Sequence, residues 1–164
     1  MSETNCPNAN RGYDASEPLQ PFALAADIAI GRAPMLDELA LLHAAGFRSV
    51  INNRPDTDAN CLVTSEACGA AAQMQGLGYA HIPVEGRNPL EKDVRAFAEA
   101  LASLPKPIYA CCATGGRSSA LWAMASVREA TTDELIAKCL EAGFDVSGLK
   151  AKMDMRREML EDDE

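Results

Sequence analysis

Residues 108–122 read IYACCATGGRSSALW: two adjacent cysteines, two glycines and an arginine within a few positions of one another. A cysteine acts as a nucleophile only as its thiolate, and an ordinary thiol pKa of about 8.5 leaves little thiolate at neutral pH. The positive end of a helix or a neighbouring arginine lowers such values to roughly 3.5–7.5. A short glycine-rich loop entering a helix does this, because its N–H groups turn inward and form a nest for a tetrahedral anion. Ala113, Thr114, Gly115 and Gly116 are the main-chain cradle expected here. Arg117 adds a planar fork able to grip two oxygens, and Ser118 can donate to the sulfur or orient a water. Two registers are open. From Cys111, five residues precede Arg117; from Cys112, four do.

Such chemistry needs a strand ending at the cysteines and a helix opening at the arginine. The pattern predicts both, inside an alternation of strands and helices. An apolar run at 26–31 reads as a strand. Pro34 sits where a helix can start, with Asp37 and Glu38 in its first turn, Leu36, Leu39 and Leu42 at helical spacing, and Gly46 as the stop. Residues 47–52 form the next strand and 52–60 a polar loop. An Ala-rich helix ends near Gly76 or Gly78, and 79–84 is a strand. Asn88 is expected to cap a helix with Pro89 at its first position, Glu91 three residues after the cap, and Val94, Phe97, Leu101 and Leu104 as its buried stripe. Residues 105–111 form the strand before the loop, and helices follow over 117–129, 132–142 and 147–160. This alternation predicts an α/β fold, three layers α/β/α around a mainly parallel sheet. Sites in such sheets lie at the carboxyl ends of strands, where both 52–56 and 111–118 fall. Arg54, in the first of these, either approaches the loop or pairs at the surface. The expected organisation is a disordered lead-in over 1–21, one domain over 22–160, and an acidic tail over 161–164.

The chain has 164 residues, 48% apolar, with a net charge of −9. That charge argues against non-specific nucleic-acid binding, and an anionic substrate must be held by local cations. The sequence offers no apolar leader and no run approaching 18 apolar residues, so it reads as a cytoplasmic protein without a membrane span. The six cysteines are scattered, which reads as reduced thiols, with Cys61, Cys68 and Cys139 as packing residues. No zinc-like spacing occurs, and neither metal nor organic cofactor is expected. Adjacent Cys111 and Cys112 invite a vicinal disulfide that would silence the site under oxidation. His81 reads as a packed or edge histidine, His43 as a helix-surface residue, and Trp122 and Met124 as core.

Register can be read from glycine placement. The protein tyrosine phosphatase loop spaces cysteine and arginine by five residues, with glycine three after the cysteine. From Cys112 that position is Gly115; from Cys111 it is Thr114. Four intervening residues make a smaller cradle, as in rhodanese-type sulfurtransferases. The stretches HAAGFRSVINNRPD, GLGYAHIPV, DVRAFAEAL and CATGGRSSALWA, in this order over about residues 24–127, resemble the bacterial phosphatase-like domain that also occurs fused to β-lactamase-like hydrolases, a family labelled both phosphatase and sulfurtransferase. The resemblance implies a cysteine-phosphatase-like fold. It aligns the nucleophile with Cys112 and the clamp with Arg117, leaving Cys111 as an alternative nucleophile or resolving thiol. It also implies a general acid after the HIPV strand, where Glu85 is the candidate and Asp56, Asp58 and Asp93 are weaker ones. Three positions depart from the family pattern: Cys111 stands for a histidine, Ala113 for an arginine, and Asn53 for an apolar residue. The implied reaction is hydrolysis of a phosphorylated substrate through a phosphocysteine. The alternatives are sulfane-sulfur transfer through a persulfide, or a silent anion-binding or redox-sensing module. The sequence leaves the oligomeric state open.

Overall fold

The computed structural model describes residues 13–59 and 61–163. Residues 1–12 of the expected lead-in, Cys6 among them, and Glu164 of the expected tail lie outside the described residues. A five-stranded sheet has the order β1-β2-β5-β3-β4, formed by β1 Phe22–Ala25, β2 Ile28–Arg32, β3 Ser49–Asn52, β4 Gly78–His81 and β5 Ile108–Cys112. All neighbouring pairs are parallel except β1 with β2. A 3-10 turn, Leu36–Glu38, leads into α1 Leu39–Ala44, and α2 is Ser65–Met74. The others are α3 Glu91–Ser103, α4 Gly116–Ala125, α5 Thr132–Glu141 and, after a 3-10 turn at Ser147–Leu149, α6 Lys150–Asp162. The α/β class expected from the alternation is observed.

Strand β5 is central and buried along its whole length. Its unbroken apolar run is what a strand covered on both faces requires. On one face Tyr109 and Cys111 pack with Leu39, Leu42, Val50, Cys68 and Ala72, beneath α1 and α2. On the other, Ile108 and Ala110 meet Val94, Phe97, Leu121 and Met153 of α3, α4 and α6. Helix α4 is buried at Gly116 and throughout residues 118–124, so it has no polar face. Such a helix must be enclosed, and α3, α5 and α6 pack against it.

Several expectations are corrected. Strand β1 was not foreseen: it is a four-residue edge strand with three exposed positions, too short and too open to show an alternating pattern. The predicted strand at 26–31 begins only at Ile28. Asn88 does not cap α3. That helix starts at Glu91 after Leu90, and the Asn88 Oδ1 accepts from Lys152 Nζ of α6. Helix α4 starts one residue before Arg117 and stops at Ala125, four short of Glu129. Helix α5 carries a reciprocal capping box between Thr131 and Glu134. Glu161 and Asp162, expected in a disordered tail, are the last two residues of α6. Tyr13, expected in a mobile lead-in, lies with its ring 4.2 Å from the Arg54 guanidinium and its hydroxyl donating to the Ala33 carbonyl at 3.1 Å. Among the described residues no helix is long and apolar enough to cross a membrane.

Candidate active site

Strand β5 brings both cysteines to the carboxyl edge of the sheet. Its neighbours hold it to its last residue: the Ala33 N–H donates to the Cys112 carbonyl at 2.8 Å, and the Asn53 N–H to the Cys111 carbonyl at 2.7 Å. The chain then turns through Ala113 and Thr114 into α4. At Gly115 φ is +116°, a left-handed conformation costly for other residues. A Cβ there would also stand 3.3 Å from the Gly31 backbone of β2 and 3.4 Å from the Phe144 ring. The left-handed backbone calls for glycine here, and the close approach of β2 adds a mild squeeze.

Successive strand residues face opposite sides, and the two thiols part company accordingly. Cys111 packs with Tyr109 and Cys68 on the α1–α2 side and donates to the Ile51 carbonyl at 3.6 Å. Burial pushes its thiol well above the ordinary value; Cys68 and Cys112 add to the rise, and Arg54 opposes it. Cys112 turns to the loop, where the Gly115 N–H donates to its Sγ at 3.1 Å. Burial acts to raise this thiol too. The Arg117 charge and the main-chain N–H groups of Ser118, Thr114 and Gly115 outweigh it, so the net displacement is downward. Both thiols are free, and a vicinal disulfide, the alternative that the adjacent pair invites, would need one sulfur to turn over to the other face of the sheet.

Arg117 makes a two-pronged contact with Asp58, Nη1 to Oδ1 at 3.1 Å and Nη2 to Oδ2 at 2.5 Å, and Nη1 also donates to the Val84 carbonyl at 2.9 Å. Partial burial would raise the Asp58 carboxyl, but bonds and charge from Arg117, then Arg54, hold it below the usual carboxylate range. Arg54 is no surface residue. It is 3% exposed, with Nη2 on the Ala59 carbonyl at 2.8 Å and Nε 3.4 Å from Asp58. Asp58 is thus the carboxylate that joins Arg54 to Arg117. His81 Nε2 meets the Arg54 carbonyl at 2.9 Å, so that nitrogen carries the proton and the ring serves to brace the β3 end.

Ser118 does not direct its hydroxyl to the sulfur. Its Oγ donates to Asn53 Oδ1 at 2.8 Å, while its main-chain N–H faces Cys112. Glu85 is exposed on the loop after β4, beside the Val84 that holds Arg117. Asp56 accepts from the N–H of Ser65, the first residue of α2, and Asp93 sits in the first turn of α3 beside Lys92. Sequence reasoning missed Arg87. Its guanidinium lies over Gly116, where a Cβ would come within 2.5 Å of Nε and Nη2, and 5.4 Å from the Phe144 ring. The one available signal was its place after β4, at the same sheet edge as the loop.

Comparison with known proteins gives the family and the fold. The family model described as "β-lactamase hydrolase-like protein, phosphatase-like domain" matches residues 22–129. A curated β-lactamase hydrolase-like protein of Xylella fastidiosa is 34% identical over 121 residues, 73% of this chain. The chain spans 28% of that relative's length. A solved phosphatase-like structure from Neisseria meningitidis superposes with a TM-score of 0.71 at 24% identity, covering 82% of this chain and 96% of its own. Kinase-associated phosphatase, solved with its catalytic-site cysteine replaced by serine, superposes at 0.65 with 12% identity, covering 88% of this chain and 94% of its own. These two likenesses speak to fold alone: a mostly parallel α/β sheet of the cysteine-phosphatase kind. With two thirds of its length matched by the family model, the chain belongs to the phosphatase-like domain family of β-lactamase hydrolase-like proteins.

Proposed function

We propose that the chain is a cysteine-dependent phosphatase acting through Cys112. The observation that carries this reading is the convergence of the Gly115 N–H at 3.1 Å, the Thr114 and Ser118 amides and the Arg117 charge on one sulfur. Those groups favour the thiolate and are the donors a phosphoryl group needs, and electrostatic stabilisation of this kind dominates phosphoryl transfer. The thiolate attacks phosphorus; the P–S bond forms as the P–O bond to the leaving group breaks. Backbone N–H groups of residues 113–117 hold the remaining oxygens, joined by the Arg117 fork as it exchanges the Asp58 carboxylate for the phosphoryl group. Glu85 protonates the departing oxygen. Asp58 is unsuited to that role, since two guanidinium groups keep it ionised. Water then attacks phosphorus, gives its proton to Glu85, and the P–S bond breaks to restore the thiolate.

A second reading has its own observation, the four-residue spacing from Cys112 to Arg117. A smaller cradle suits a persulfide. The thiolate then takes the outer sulfur of thiosulfate with release of sulfite, and hands it to cyanide as thiocyanate; no general acid is needed. One set of assays separates the two. Phosphate release from an aryl phosphate, lost in Cys112→Ser, is the expected result. In Glu85→Gln, turnover should persist on an activated aryl ester and fall on an alkyl ester. Thiocyanate production lost in Cys112→Ser, without phosphate release, would replace the first reading by the second. Phosphate release that survives Cys112→Ser would overturn the assignment of the sulfur.

A further inference from the structure

We infer that Asn53 is a positioning residue that draws the Ser118 hydroxyl proton away from the Cys112 sulfur. The inference rests on Cys112 being the reactive sulfur, as proposed above, and deepens that reading.

The polarity of the contact follows from one acceptor. Asn53 is fully buried, anchored by its main-chain N–H on the Cys111 carbonyl. Its side-chain nitrogen donates to the Ile82 carbonyl at 2.9 Å. A carbonyl can only accept, so the amide cannot be flipped without setting oxygen against oxygen. Asn53 Oδ1 therefore faces Ser118 and can itself only accept. Ser118, also fully buried, has a single hydroxyl proton. With 2.8 Å between Oγ and Oδ1, that proton lies on the line to Asn53. The hydroxyl presents lone pairs, and no proton, to everything else around it.

A leucine at position 53 would fill much the same buried space. An apolar neighbour offers no acceptor. The hydroxyl of Ser118, whose own N–H already faces the sulfur, would then be free to turn its proton to Cys112. Among the described residues, the charged and titratable groups acting on the sulfur are Arg117 on α4, with Asp58 behind it on the loop after β3, and Cys111 and Tyr109 on β5. The hydroxyl is a separate contribution that can be switched without touching any of them. A sulfur denied this bond stays more basic. It attacks better and leaves worse, so Asn53 favours formation of the covalent intermediate over its breakdown.

The test is the pH dependence of Cys112 alkylation by iodoacetamide in the folded protein, with fragment-resolved mass spectrometry separating Cys112 from Cys111. No turnover is required, so the result is readable whichever reaction the protein performs. Wild type and Ser118→Ala should share one midpoint, because the hydroxyl is not on the sulfur to begin with. In Asn53→Leu the midpoint should fall by about 1–2 pH units, the size of a hydrogen bond to a charged group. In Asn53→Leu/Ser118→Ala it should return to the wild-type value. A Ser118→Ala midpoint raised above wild type would overturn the inference, and that arm stands even if Asn53→Leu fails to fold. An unmoved midpoint in folded Asn53→Leu would overturn it as well. Labelling at Cys111 in place of Cys112 would sink the proposed function along with it.

Discussion

At the scale of single residues, the informative contact is Asp58 in the fork of Arg117. A carboxylate gripped by both guanidinium nitrogens has the charge and planar geometry of a bound anion, and it holds the fork that a substrate oxygen would need. Removing its charge should have two effects of opposite sign. Asp58→Asn leaves Arg117 and the buried Arg54 without their counter-ion. Breaking such a pair costs about 3 kcal/mol when buried, less here because Asp58 is 21% exposed. Added phosphate would then meet an unoccupied fork and restore part of that loss. Expected in a melting experiment is a lower midpoint for Asp58→Asn without phosphate, and a larger upward shift on adding phosphate than wild type shows. An equal or smaller shift would mean that Asp58 is not in competition with the anion. Little of this was legible in the sequence. Cys112, Gly115 and Arg117 stand in one short segment whose spacing carries its own meaning. Asp58 is one of 24 acidic residues, lies 59 positions from Arg117, and meets it only because β3 and β5 are paired in register.

At the scale of elements, the strand–loop–helix unit was legible for a physical reason: a central strand must be apolar throughout, and the reversal into α4 admits only glycine at position 115. What lay on other elements was not. Asn88 has the sequence signature of a cap, yet Lys152 of α6 takes its side chain, a competition that no local pattern reveals. Arg87 belongs to the same class, and its position yields a prediction. A Cβ at Gly116 would collide with the Arg87 guanidinium, the far end of a long side chain, which would have to shift on the Phe144 ring to make room. Gly116→Ala should therefore fold with stability within about 1 kcal/mol of wild type, while displacing a cation from the mouth of the anion loop. Phosphate affinity should weaken in Gly116→Ala and in Arg87→Ala to a similar degree. The double variant should be no weaker than either single one, since both remove the same charge. Additive losses in that cycle would place the effect of Gly116 in the loop backbone and not in Arg87.

At the scale of the molecule, a net charge of −9 surrounds a candidate site lined by cations. Arg54, Arg87 and Arg117 converge on one edge of the sheet through Asp58 and Gly116. Composition led to the expectation of such a division: with the global field repelling anions, attraction has to be local. The two fields respond differently to salt. The Debye length shrinks from about 30 Å at 0.01 M to about 8 Å at 0.15 M, which screens repulsion across the whole surface before it weakens contacts inside a partly buried cradle. Alkylation of Cys112 by the anion iodoacetate should therefore accelerate between roughly 0.01 and 0.15 M sodium chloride. The rise should be about threefold, below the ~10-fold or larger effects of clefts lined with one sign of charge. The neutral iodoacetamide, run alongside, should show a flat profile, which separates the field from any change in the thiol itself. Slowing of iodoacetate with salt would mean that the arginine edge, and not the acidic remainder, governs the approach of anions. The local cations would then be steering groups as well as binding groups.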